Sequence, residues 1–300
     1  MTDSVFASVG PNLPQDLFAA AGNYAGPLAT DADRPTPRAD AWLESKFAPW
    51  GRSIVEAWAA GELDGLTKVI FSRADDTAHR LYYYVCELQQ RGAIGGPTPY
   101  ILDIAKIPRA TSVARTAHAV RALAKELGIG DAAIEAAIAA TNRRRAAPSV
   151  LPDGRRCLLV GTPPPDRRLH QVIEACGFAP MGATLAEVWN DPGPMVDQGT
   201  ADPCEAIARS IHADPAGSRS FADWAELLRA EIVRVAPAAV VLWRIDEDEA
   251  QAWHLPAQRR VLAESGVPAL TLTNRRWRAD DGAPEEIARF LQSQAKDPPR

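Results

Sequence analysis

Lys68-Val69-Ile70-Phe71 and Tyr100-Ile101-Leu102-Asp103-Ile104 are two short apolar runs, and the residues between them decide the fold. Residues 76–91 place Leu81, Tyr84, Val85 and Leu88 on one helical face, and Gly92 to Pro99 ends that helix. A short run rich in β-branched residues suits a strand buried on both faces of a parallel sheet. Strand, helix, strand at this spacing is a βαβ unit.

The pattern continues on both sides. Two helices follow the second strand. Thr111 or Ser112 is the expected cap of the first, which ends at Gly128, and Asp131 is the expected cap of the second. The second closes on Arg143-Arg144-Arg145, where cations favour the helix dipole. The sharper reading of these arginines is a site for a coenzyme A phosphate. Pro148 to Gly154 reads as a linker. Beyond it come a strand at Arg156–Gly161, a helix capped by Asp166 and closed by Gly177, and a loop over 190–204. A helix over 220–235, a strand at Ala238–Trp243, a helix from His254 to Ser265, a strand at Val267–Leu272 and a last helix over 284–295 complete the second series. Strands alternating with helices in both halves predict an α/β protein with two parallel-sheet, Rossmann- or flavodoxin-like domains. The expected division is a helical N-terminal part over 1–66, a first α/β domain with a helical linker over 67–147, and a second α/β domain over 148–300. Within the first part, Asp40 to Ala60 reads as a helix capped by Asp40 and broken near Pro49 and Gly51.

Composition excludes several classes. Three hundred residues, 46% hydrophobic and 24% charged, suit a globular protein with a sizeable core. A net charge of −5 leaves no basic footprint for nucleic acid. No apolar run approaches the roughly 18 residues of a membrane span. No basic segment followed by an apolar stretch opens the chain, so the expected location is the cytoplasm. There is no G-x-G-x-x-G after a strand, no G-x-x-x-x-G-K-[ST] and no G-x-S-x-G. The five histidines lack H-E-x-x-H spacing, and the four cysteines, Cys86, Cys157, Cys176 and Cys204, form no C-x-x-C pair. Cys86 and Cys157 read as packed thiols, Cys176 as partly exposed and Cys204 as a loop residue. The eight tryptophans favour association with a second copy or a homologue, because Trp is enriched at interfaces.

Two acidic segments stand out. Asp75-Asp76 follows the strand of the first half, and Asp246-Glu247-Asp248-Glu249 follows a strand of the second. Ligands of open α/β sheets bind at the carboxyl ends of strands. Asp75 and Asp248 are therefore expected close together at an interdomain cleft, with one carboxyl raised in pKa by the other. Arg52 and Arg73 are the expected compensating cations, and Asp76 and Glu249 are further cleft candidates.

The ordered segments resemble a family. Leu17-Phe18-Ala19-Ala20-Ala21-Gly22, Ala48-Pro49-Trp50-Gly51-Arg52-Ser53, Asp75-Asp76, Asp248 to Pro256 with Gly266-Val267-Pro268, and Glu285 to Phe290 follow one another over about 280 residues. Together they are similar to the subunits shared by 2-hydroxyacyl-CoA dehydratases and class I benzoyl-CoA reductases. The resemblance implies two α/β domains, a helical N-terminal part, dimers of related subunits and a [4Fe–4S] cluster in the cleft. It also implies electron delivery by an ATP-driven activator and transfer to an acyl-CoA thioester. It places Ala48, Asp75 and Asp248 where the family has cluster thiolates. Alanine offers no ligand and carboxylate prefers harder metals. The expectation is a non-cluster subunit, without a cofactor of its own, paired with a cysteine-bearing homologue that carries the cluster. Two other readings stand beside it: a stand-alone binding protein for acyl-CoA or another small ligand, and an enzyme that rebuilt the cleft around carboxylates and a divalent cation.

Overall fold

The computed structural model describes residues 5–148 and 150–295; Ser149, in the expected linker, lies outside them. The first half contains β1 (Phe6–Val9), α1 (Gln15–Ala21), β2 (Tyr24–Pro27), α2 (Pro37–Trp42), α3 (Pro49–Ala59), β3 (Lys68–Ser72), α4 (Asp76–Gln90), β4 (Thr98–Leu102), α5 (Ala110–Glu126) and α6 (Asp131–Arg145). The second contains β5 (Arg156–Gly161), α7 (Arg168–Ala175), β6 (Ala179–Met181), α8 (Leu185–Asn190), α9 (Pro203–Ala213), α10 (Trp224–Val235), β7 (Ala239–Ile245), α11 (Glu249–Ala252), α12 (Leu255–Ser265), β8 (Ala269–Arg275) and α13 (Ala283–Ala295).

The strands form two parallel four-stranded sheets. Their orders are β2-β1-β3-β4 and β6-β5-β7-β8, so the halves share one topology. Side chains alternate between faces along each strand. In the first sheet Ala7, Val9, Val69 and Phe71 enter one core, and Phe6, Ile70 and Leu102 enter another on the opposite face. In the second, Cys157, Leu159, Val241 and Trp243 pack towards α7 and α13, while Leu158, Val240 and Leu242 face α10 and α12. Burial on both faces explains why β7 reads as an unbroken apolar run.

The N-terminal part departs from the expectation of a mostly helical segment, since β1 and β2 are both strands of the first sheet. β1 is only four residues long, and β2, Tyr-Ala-Gly-Pro, sits at the sheet edge, the place where a strand tolerates proline and glycine. Neither carries enough alternation to stand out. The expected helix from Asp40 is two helices, with Asp40 inside α2. Gly51 lies within α3 rather than breaking it, and a Cβ there would meet the Phe47 ring at 2.9 Å. The N-caps of α5 and α6 are Arg109 and Gly130, not Thr111, Ser112 or Asp131. β6 and all but the first two residues of α9 fall on stretches to which the sequence reading assigns no element; the expected loop over 190–204 runs into the start of α9. Cys204 is thus a helical residue, 1% exposed.

One core joins the halves. Trp50 of α3 meets Trp189 of α8 edge to face, with ring centroids 4.9 Å apart. The chain after β6 also crosses back: Val196, Cys204, Ala206, Ile207 and Ile211 pack in the core beneath the first sheet, with Val120 of α5 and Ile134 of α6. The two sheets are separate, but the halves share their packing. Arg145 is part of this seam. Its guanidinium makes paired 2.7 Å bonds to Asp16 of α1, with both side chains buried. That is its role in place of a terminal cation on an open helix end.

Candidate functional site: two switch points and a strap

In a sheet ordered 2-1-3-4 the chain leaves β1 in one direction for β2, then returns to the other side for β3. The carboxyl ends of β1 and β3 bound one crevice, and those of β5 and β7 bound its counterpart. Asp75 stands three residues beyond the last residue of β3, and Asp248 three beyond the last residue of β7. The two acids occupy matching places in the two halves.

A glycine borders each crevice. Gly10 follows β1 with φ +94°, and a Cβ there would sit 3.0 Å from those of Ser72 and Ala78. Gly161 ends β5 with φ +114°, and a Cβ would press within 2.0 Å of the Trp243 carbonyl oxygen. Only glycine adopts these conformations at such close approach.

Asp75 is the N-cap of α4. Its Oδ1 accepts from the Ala78 amide at 2.9 Å, and its Oδ2 accepts from the Ser218 hydroxyl at 3.2 Å. Burial pushes its pKa up to about 6; the Ala78 and Ser218 bonds oppose the rise, and the charges of Asp76 and Asp248 add to it. Asp248 is reached by the Thr162 hydroxyl at 2.8 Å and by Arg244 at 3.2 Å. Burial raises its pKa as well, against the pull of Thr162 and Arg244. The charge of one acid is thus felt at the other.

The third segment joins them. Ala48 is the N-cap of α3 and is buried. Just before it, Lys46 reaches Asp246 at 2.8 Å and Glu249 at 3.4 Å. Glu44 binds Arg80 and Tyr84 of α4, and a Cβ on Gly51 would touch Thr77 at 3.3 Å. The segments around Ala48, Asp75 and Asp248 converge at the carboxyl ends of the two sheets.

The expected compensators do not serve. Arg52 binds Asp40 at 2.7 Å and the Glu44 carbonyl, and Arg73 binds Asp103, which Arg115 also engages. Both arginines are satisfied within the first half. Arg244, on the strand beside Asp248, is the cation present. Asp76 and Glu249 are exposed side chains; Asp76 lies 3.9 Å from Arg80 and from Arg219.

Sequence reading also misses a strap. Residues 214–220 cross over the turn after β3. The Arg219 amide donates to the Ala74 carbonyl at 3.0 Å, Gly217 lies against the same carbonyl, and the Ser218 hydroxyl accepts from the Asp76 amide at 2.9 Å. From below, Lys106 donates to the Asp214 and Ala216 carbonyls and to the Asn12 side chain. Thr162 lies just after β5; Ser218 and Lys106 carry no sequence signal at all.

These residues do not fit an iron–sulfur cluster. Ala48 presents a methyl group, both Asp75 oxygens accept from donors of the protein, and Asp248 Oδ2 accepts from Thr162 and Arg244. Cys157 and Cys204 are buried, in β5 and α9, and burial raises their thiols to about 12 and about 11. Cys86 is on α4, and Cys176 follows α7. Among the described residues no group of three or more His, Cys, Asp or Glu is arranged to hold a metal ion. No helix among them is long and apolar enough to cross a membrane. No family model matches this chain, and comparison with curated proteins returns none that is similar.

Proposed function

We propose that the chain is a cluster-free subunit of a complex like the 2-hydroxyacyl-CoA dehydratases and benzoyl-CoA reductases, paired with a cysteine-bearing homologue that holds the [4Fe–4S] cluster. The observation that carries this reading is the convergence of the segments around Ala48, Asp75 and Asp248, distant in sequence, at the carboxyl ends of the two sheets. Two parallel α/β domains facing one cleft are what the family resemblance implies. In place of thiolates the cleft has a methyl group and two hydrogen-bonded carboxyls, which hold the two crevices in shape without binding a soft metal. One cluster in the partner suffices for single-electron transfer to an acyl-CoA thioester, and this chain then supports that site rather than reacting. The carboxylate–cation alternative draws no support from the geometry: both Asp75 oxygens and Asp248 Oδ2 are already bonded to Ala78, Ser218, Thr162 and Arg244, and among the described residues no group of three or more His, Cys, Asp or Glu is arranged to hold a metal ion.

Anaerobic purification of the tagged full chain from its own cells, with native mass and iron and sulfide analysis, tests this. The expected product is a hetero-oligomer whose second chain has cysteines at the three matching positions and carries the iron. A chain of 32.3 kDa recovered alone and iron-free under those conditions overturns the reading.

A further inference from the structure

We propose that the cavity beneath the strap binds a small organic anion, with its oxyanion head near Lys106 and Arg109 and its apolar body against Val113 and Phe221. The cavity measures about 420 Å³ and lies between the start of α5, the end of α9 and residues 214–222. That volume is within the roughly 300–1,000 Å³ of small-molecule sites.

Charge argues for the head. Lys106 is 8% exposed, and its ammonium donates to three neutral oxygens, those of Asn12, Asp214 and Ala216. Among the described residues no carboxylate lies within ion-pairing distance of it. The nearest acid, Asp214, turns its carboxylate to the Asn12 amide and to the Ala216 N–H at 2.9 Å. Burial lowers the lysine to about 8, with the Asp214 charge opposing the shift. A buried cation without a contacting counter-charge is costly, and an anion in the cavity offsets that cost. Since the Lys106 donors are engaged, it acts through its charge; Arg109, exposed and without an ion pair among the described residues, supplies the hydrogen bonds. His212 forms a wall. Its Nε2 is bonded to the Thr116 hydroxyl at 2.9 Å, and burial lowers its pKa.

Shape argues for the body. Phe221 is 71% exposed at the rim, and Pro108, Ala110, Val113, Pro215 and Ala222 continue the apolar lining. An aromatic ring at the mouth of a basic cavity suits a ligand that is anionic at one end only.

The inference does not depend on a cluster-bearing partner, because its test uses the chain alone. Calorimetric titration with hexanoate, hexyl phosphate and hexan-1-ol separates the contributions. Saturable binding of hexanoate, or of hexyl phosphate, with no binding of the alcohol is expected, and the preferred anion tells carboxylate from phosphate. Arg109→Ala should weaken that binding roughly tenfold or more, with partial recovery in Arg109→Lys. Phe221→Ala should weaken it too, and both sites are exposed, so the variants should keep the wild-type circular dichroism. Binding of hexan-1-ol as tight as that of the anions, no saturable binding of either anion at millimolar concentration, or unchanged affinity in Arg109→Ala overturns the proposal.

Discussion

The Ser218 hydroxyl donates to the Asp75 carboxyl at 3.2 Å across 143 positions of the chain, tying the strap of the second half to the first switch point. The bond holds an acid whose pKa burial has raised from 3.8 to about 6. A raised carboxyl makes the folded state bind more protons than the unfolded one. Stability is then lost as pH rises from about 4 through 6 and stays lost above that. A shift of that size corresponds to roughly 3 kcal/mol.

Asp75→Asn removes that titration while its carbonyl oxygen keeps the Ala78 bond. The variant's stability relative to wild type should increase between pH 4 and pH 6.5 and then level off. Urea unfolding across that range is the check, and parallel curves for the two proteins contradict it.

Trp189→Ala should cost about 3–5 kcal/mol, because it empties a buried site against Trp50 in the core shared by both halves. Wild-type unfolding should be one transition by both tryptophan fluorescence and far-ultraviolet circular dichroism. Two separated wild-type transitions would show that the halves fold independently.

Asp16 and Arg145 form a buried bidentate pair. Removing one partner strands a charge, so Asp16→Ala should cost about 3–5 kcal/mol. Replacing both with leucine should cost much less, since a buried pair contributes little over an apolar substitute. Equal losses in the single and double variants would refute this account of the seam.

Cys157 and Cys204 should resist thiol reagents in the native state at pH 8, because burial shields them and holds the thiols protonated. Cys86 and Cys176, only half-buried, should react first. Counting thiols with and without denaturant separates the pairs, and rapid native labelling of Cys157 would show the β5 face to be open.

The parallel sheets were legible because β3, β5 and β7 are apolar runs followed by helices with clear buried faces. β1, β2 and β6 were not: they are three or four residues long, and β2 carries a glycine and a proline at the edge. Asp75 and Asp248 were legible as acids at strand ends. Their partners were not. Thr162 is 86 residues from Asp248 and Ser218 is 143 from Asp75, and no local pattern records a hydroxyl that arrives through tertiary folding. The arginines nearest in sequence, Arg52 and Arg73, misled for the same reason: proximity along the chain did not predict that Asp40 and Asp103 would claim them.

The central claim is that Ala48, Asp75 and Asp248 mark a cluster site that has lost its ligands. The most direct measurement is anaerobic reconstitution, with ferrous iron and sulfide, of wild type and of the triple variant Ala48→Cys, Asp75→Cys, Asp248→Cys, followed by absorbance and iron analysis. The account predicts a colourless wild type and a variant holding one [4Fe–4S] cluster per chain. A wild type that takes up a stoichiometric cluster, or a folded triple variant that takes up none, would contradict it.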